Sequence, residues 1–215
     1  MLSAIPSNVE ERGRLLRRGL GLSYVTIGYN VVEAVVSITA AVLAGSVALF
    51  AFGFDSMIEV SAATFVVWRL RAEILSIHQD HSHRERLALR GVGLTFLILG
   101  AFVVVESTRS LLSGDRPDPS LLGIGVALAS LLTMPALGAA KLRIARKLGS
   151  EALEAEAQET FVCAYLSAML LVGLGLNVVF GWWWADPVGG LLMVPFLFYQ
   201  AKEAFEESAG DHPTV

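Results

Sequence analysis

Charge is absent from five long stretches of this chain: 34–54, 91–105, 121–140, 160–185 and 187–201. A bilayer core about 30 Å thick is crossed by about 20 residues of helix. Runs of this kind read as membrane-spanning helices. Composition agrees, with 54% hydrophobic residues, 17% charged residues and a mean hydropathy of +0.62. That is too apolar for an ordinary soluble enzyme. The net charge of −4 gives no basic face for nucleic acid. Cys163, the one cysteine, cannot form an intrachain disulfide. The expectation is an all-α integral membrane protein, in contact with the lipid bilayer and with no nucleic-acid partner.

Allowing for turns, six transmembrane helices are predicted at roughly 19–43, 47–69, 91–112, 120–140, 152–180 and 186–204. Gly45-Ser46, the segment from Ser113 to Pro117, and Trp182-Trp183-Trp184-Ala185-Asp186-Pro187 are the short turns on one side. The connectors at 70–90 and 141–151 read as longer and polar. Every one of the 16 basic residues except Arg109 and Arg116 falls on the side of those connectors and of the termini. The positive-inside rule then makes both the N- and C-termini cytoplasmic, which requires an even number of spans. The expected organisation is a cytoplasmic N-terminal segment at 1–18, a six-helix transport domain at 19–205 and a short cytoplasmic tail at 206–215, in the cytoplasmic (plasma) membrane. The charged N-terminus, with Glu10, Glu11 and several arginines before the first apolar run, does not read as a cleavable signal.

Carboxylates inside the spans are the informative departures. One at the centre of a spanning helix costs about 2.5–3.5 kcal/mol on the insertion scale, so a function is the default reading. Span 2 holds two, Asp55 and Glu59, which share one helical face at i and i+4. Asp55 lies roughly 13 Å into the helix at about 1.5 Å per residue. Span 5 repeats the spacing with Glu159 and Cys163, and Glu156 lies one turn toward the cytoplasm. Two helices presenting two ligands each can close a four-coordinate metal site from Asp55, Glu59, Glu159 and Cys163. No Lys or Arg is expected near these four, which leaves the balancing charge to a bound cation or to protons.

Blander readings stand beside these. The span 2 pair can be hydrogen-bonded structural groups, Glu159 an interfacial carboxylate, and Cys163 a small buried hydrophobe. Glu33 in span 1, with Asn30 beside it, reads either as a relay or as a structural polar contact. Glu106 and Arg109 read as a salt bridge. Asp80, His81 and His83, with His78, form a connector cluster that either holds a second metal or is a solvated polar loop.

At this point the residues resemble a known family. Gly45-Ser46-Val47-Ala48-Leu49 leading to Asp55-Ser56-Met57-Ile58-Glu59 is similar to the start of span 2 in the cation diffusion facilitators, which exchange divalent metals for protons. The segment from Ala155 to Cys163 is similar to their span 5, and Trp182 to Pro187 to their turn into span 6. The family usually carries Asp where this chain has Glu59 and Cys163, and His or Asp where it has Glu159. Most members also have a soluble metal-binding domain after span 6, so the chain reads as a short, transmembrane-only form. The resemblance implies a homodimer and a zinc role for the loop region around Asp80, His81 and His83. Gly91, Gly93, Gly173 and Gly175 would permit the close helix packing a dimer uses.

The function expected is therefore efflux of a divalent cation, with zinc favoured and Co2+, Fe2+ or Mn2+ also suited, in exchange for H+. A metal binds only deprotonated ligands, so its entry expels protons, and rocking of the helices would expose the site to each side in turn. No prosthetic group and no enzymatic activity are expected. Two alternatives remain: a non-transporting regulatory subunit of a related transporter, and an exporter of small organic cations that uses the carboxylates as counter-charges.

Overall fold

Three of the five charge-free runs lie within single helices that continue beyond them, and the other two, 34–54 and 160–185, cross a turn from one helix into the next. The computed structural model describes residues 9–75, 82–114, 116–118 and 120–209. Over these residues the chain forms α1 (Val9–Ala44), α2 (Val47–Ile74), α3 (Ser82–Ser113), α4 (Leu121–Leu148), α5 (Glu151–Phe180) and α6 (Ala185–Ala209). Among the described residues there is no strand. The first five helices are long and apolar enough to cross a membrane. In α6, Asp186, two prolines, Tyr199, Gln200 and Lys202 dilute the apolar run, and it falls short of that composition. The protein is an all-helical, multi-pass membrane protein.

The polar connector expected at 141–151 is not a loop. Helix α4 runs through Lys141, Arg143, Arg146 and Lys147, and only Gly149 and Ser150 separate it from α5. Lys, Arg, Leu and Ala are good helix formers, so polarity alone gave no reason to stop. The stop is Gly149, whose φ of 64° is the left-handed conformation that ends many helices. The amide of Ser150 then donates to the carbonyl of Ala145 at 3.1 Å. Arg12 adds a bond to the carbonyl of Leu148 at 3.3 Å. The connector at 70–90 shrinks in the same way, since α2 reaches Ile74 and α3 begins at Ser82.

The chain forms two compact units. The first is built from Met1–Ser37, Phe52–His78 and Gly125–Ala168, parts of α1, α2, α4 and α5. Its base is an apolar cluster of Leu15, Leu16, Val66, Leu70, Ala145, Leu148 and Leu153. Helix α1 is inverted relative to a soluble amphipathic helix. Ser23, Thr26, Asn30, Glu33 and Ser37, spaced three and four apart, are buried, while Val25, Val32 and Val35 are exposed. A helix whose outer face meets lipid keeps its polar groups inward. Helix α4 buries Ala127, Ser130, Met134, Lys141, Ala145 and Leu148 at the same spacing. Gly138 lies on that stripe, and a Cβ there would stand 3.3 Å from the carbonyl of Ala157. Its missing side chain lets α4 approach α5.

The second unit holds Ile38–Ala51, Gln79–Ile124 and Met169–Val215. In it α3 packs along α6, with Gly93 against the carbonyl of Ala201 and Gly190 against Ser107. The Asp186 carboxylate accepts from the hydroxyl of Ser46 and from the amide of Val47 at 3.1 Å, closing the start of α2. Trp182 and Trp184 stack at 5.2 Å in the last turn. The expected Glu106–Arg109 salt bridge forms at 3.3 Å.

Candidate metal-binding site

All of the candidate ligands within the spans fall in the first unit, on α1, α2 and α5. Asp55 and Glu59 are buried on one face of α2. Glu59 Oε1 accepts from the hydroxyl of Thr160 on α5 at 2.9 Å, while its Oε2 is buried and has no hydrogen-bond partner. Asp55 stands within electrostatic reach of Glu59 and Glu33. On α5, Glu159 is partly exposed, yet its Oε2 is buried without a partner, and Glu59, Asp55, Glu156 and Lys141 lie within electrostatic reach of it. Cys163 is buried, with its Sγ 3.8 Å from Glu33 Oε2 and 3.8 Å from the hydroxyl of Ser130.

Glu33 therefore joins this cluster from α1. Its Oε2 also accepts from the hydroxyl of Ser56 at 3.0 Å, and its Oε1 is buried and unpartnered. Asn30, one turn away, is fully buried with neither amide atom hydrogen-bonded. The structure thus gathers carboxylates from three helices with a thiol. Buried acceptors without donors are costly and rare in folded proteins. Among the described residues, no three His, Cys, Asp or Glu side chains are drawn tightly enough to form a ready metal cage. Asp80 and His81 lie outside the described residues, and His83 falls in the first turn of α3 with a side chain also outside them.

One expectation fails outright. A cation does stand beside these carboxylates: Lys141, on α4, whose side chain is wholly shielded from solvent. Its Nζ lies 2.8 Å from Glu156 Oε1 and donates to the hydroxyl of Thr160 at 2.9 Å. Glu156 Oε2 accepts from the hydroxyl of Ser23 on α1 at 2.7 Å. A continuous polar chain therefore runs Ser23–Glu156–Lys141–Thr160–Glu59 and ties four helices. Lys141 directly follows an apolar run and precedes Arg143, Arg146 and Lys147, so it reads as one more solvated basic residue. The available signal is its phase, because it falls on the small and apolar stripe of Ser130, Met134, Gly138, Ala145 and Leu148.

Comparison with known proteins agrees with this architecture. Residues 23–211 match the model of the cation efflux transmembrane domain. An uncharacterised transporter of Synechocystis is 25% identical over 168 residues, covering 76% of this chain and 54% of that protein. Transmembrane protein 163 of Xenopus laevis is 23% identical over 156 residues, covering 73% and 54%. The cation-efflux pump FieF of Shewanella oneidensis is 27% identical over 185 residues, covering 82% and 61%. The chain thus spans about half the length of the first two relatives and 61% of the third. With residues 23–211 of its 215 matched, from the polar stripe of α1 through α6, the chain belongs to the cation efflux family.

Proposed function

We propose that this protein exports a divalent cation, with zinc the favoured cargo, in exchange for protons across the plasma membrane. The cation is held by Asp55, Glu59, Glu159 and Cys163, with Glu33 adjoining. The orphaned oxygens Glu33 Oε1, Glu59 Oε2 and Glu159 Oε2, close to a buried thiol, carry this reading. Asn30 and Cys163 stand near Glu59 and Ser130 near Glu33, but no donor meets these oxygens in hydrogen-bond geometry, which leaves a place a cation completes. A thiolate among carboxylates suits zinc or cobalt better than magnesium. Each ligand must lose its proton before it binds metal, so protons and metal compete for one place. Exchange then needs only that the site open to each side in turn. We further propose cytoplasmic termini and a homodimeric assembly.

The deciding experiment is zinc uptake into proteoliposomes of the purified protein, with and without an imposed pH gradient, wild type beside Asp55→Ala. Flux that follows the gradient and disappears in the variant supports proton-coupled transport through this cluster. Absence of flux for zinc, cobalt and manganese alike would turn the assignment toward a regulatory subunit that needs a partner. Equal flux in wild type and Asp55→Ala would move the site elsewhere.

A further inference from the structure

We propose that Lys141 and Thr160 set how Glu59 binds its cation: they occupy one carboxylate oxygen and leave the other as the single oxygen offered to the ion. This rests on the reading of the cluster as a cation site. The hydroxyl of Thr160 lies 2.9 Å from Lys141 Nζ, 2.9 Å from Glu59 Oε1 and 2.9 Å from the carbonyl of Glu156. An ammonium has donors and no acceptor, so toward Lys141 the hydroxyl must accept. Its one proton is then left for Glu59 or for the Glu156 carbonyl. A carboxylate is the stronger acceptor, and a helix carbonyl already has its own amide four residues on. The proton goes to Glu59 Oε1, and Oε2 stays buried without a partner.

Lys141 is held for this task by Glu156. That carboxylate faces Lys141 through Oε1 in an ion pair without a directed hydrogen bond, and its Oε2 accepts from Ser23. Glu156 is in consequence the anchor of the relay and is not offered to the cation. Lys141 is a positioning residue: its hydrogen bond reaches Glu59 through Thr160, while its charge also acts on Glu59 across space.

The consequence is selectivity. A carboxylate with one free oxygen binds monodentately and suits a small tetrahedral ion such as Zn2+. A carboxylate with both oxygens free can chelate, which favours larger ions of higher coordination number. Releasing Oε1 should cost zinc affinity and cost Mn2+ affinity less.

The test titrates Zn2+ and Mn2+ separately into the purified full chain in detergent, for wild type, Thr160→Val, Thr160→Ser and Lys141→Met. Thr160→Val is nearly isosteric, so the test does not depend on the folding of Lys141→Met. Loss of a group that orients a ligand typically costs about 10-fold or more in metal affinity. The expected result is about a 10-fold loss for Zn2+ in Thr160→Val. The Mn2+ loss should be smaller, and Thr160→Ser should restore the zinc preference. An unchanged Zn2+/Mn2+ ratio in Thr160→Val overturns the proposal. Wild type that binds neither ion overturns the cation-site reading instead. The relay is then read in the metal-free protein, by a double-mutant cycle of Lys141→Met and Glu59→Gln on the melting temperature. Coupled losses support the relay, and additive losses overturn it.

Discussion

Lys141 and Glu156 form an ion pair at 2.8 Å with no solvent contact for either side chain. Removing one partner of such a pair strands a buried charge and costs about 3–5 kcal/mol, whereas replacing both is often close to neutral. Lys141→Met should therefore lower the melting temperature sharply, and Lys141→Met combined with Glu156→Leu should recover most of the loss. Thermal unfolding in detergent, followed by circular dichroism, reads both. A double variant as unstable as the single one would show that the pair matters for more than its charge.

Metal binding should release protons. Addition of zinc to the protein in weak buffer should acidify the solution, and apparent zinc affinity should fall as pH is lowered, because protons compete for the same carboxylates and thiol. The sign is fixed by the chemistry: acid favours the protonated, metal-free form. Calorimetry in two buffers of different ionisation enthalpy counts the protons. An affinity that does not change with pH would remove the basis for exchange.

Cys163 should tune the choice of metal. It is the one sulfur donor among the candidate ligands, 3.8 Å from Glu33 Oε2. Cys163→Asp makes the set all-oxygen and should shift preference from zinc toward harder ions such as manganese. Competition titrations with the two metals give the ratio. Cys163→Ser, which removes the soft donor without adding charge, should lower zinc affinity and leave manganese binding weak.

Gly138 should not tolerate a branched side chain. A Cβ at this position would meet the Phe161 ring at 3.2 Å and the Ala157 carbonyl at 3.3 Å. Forcing extra carbon into a packed contact costs about 1–3 kcal/mol. Gly138→Val should lower the melting temperature, and by moving α4 off α5 it should weaken zinc binding too. Gly28→Ala is the control: nothing lies within 4 Å of a Cβ there. Removing a mid-helix glycine should stabilise by about 0.5–1 kcal/mol.

The helices were legible because lipid forces an unbroken apolar run to become one, and 91–105, 121–140 and 187–201 did so, while 34–54 and 160–185 were divided by the turns at Gly45-Ser46 and 181–184. The end of α4 was not legible, because Arg143, Arg146 and Lys147 lie past the end of the apolar run but not of the helix. Gly149 ends the helix. In the candidate site, Asp55, Glu59, Glu159 and Cys163 were legible as charges or polar groups in places where such groups are costly. Lys141 escaped because its cost is invisible at the edge of an apolar run. Only its phase along α4 sets it apart from the basic residues that follow. Glu33 gained its place from Cys163 and Ser56, contacts that join α1 to α5 and α2 and leave no trace in local spacing.

The inward polar stripe of α1 has a consequence for biogenesis. Helix α1 is made before α5 and carries Ser23, Asn30 and Glu33 into the bilayer ahead of it. The partner of Ser23 is Glu156, 133 residues later, and Cys163 follows Glu33 by 130. Chains are made at about 5–20 residues per second, so these groups wait roughly 6–27 s for their α5 partners, while Ser56 of α2 reaches Glu33 much sooner. A helix in that position needs a temporary companion, at the insertion channel or in a neighbouring segment, until α5 arrives. The contacts of α1 with α5 thus form only after most of the chain is made, and a chain stalled before α5 would present those polar groups to the quality-control machinery of the membrane.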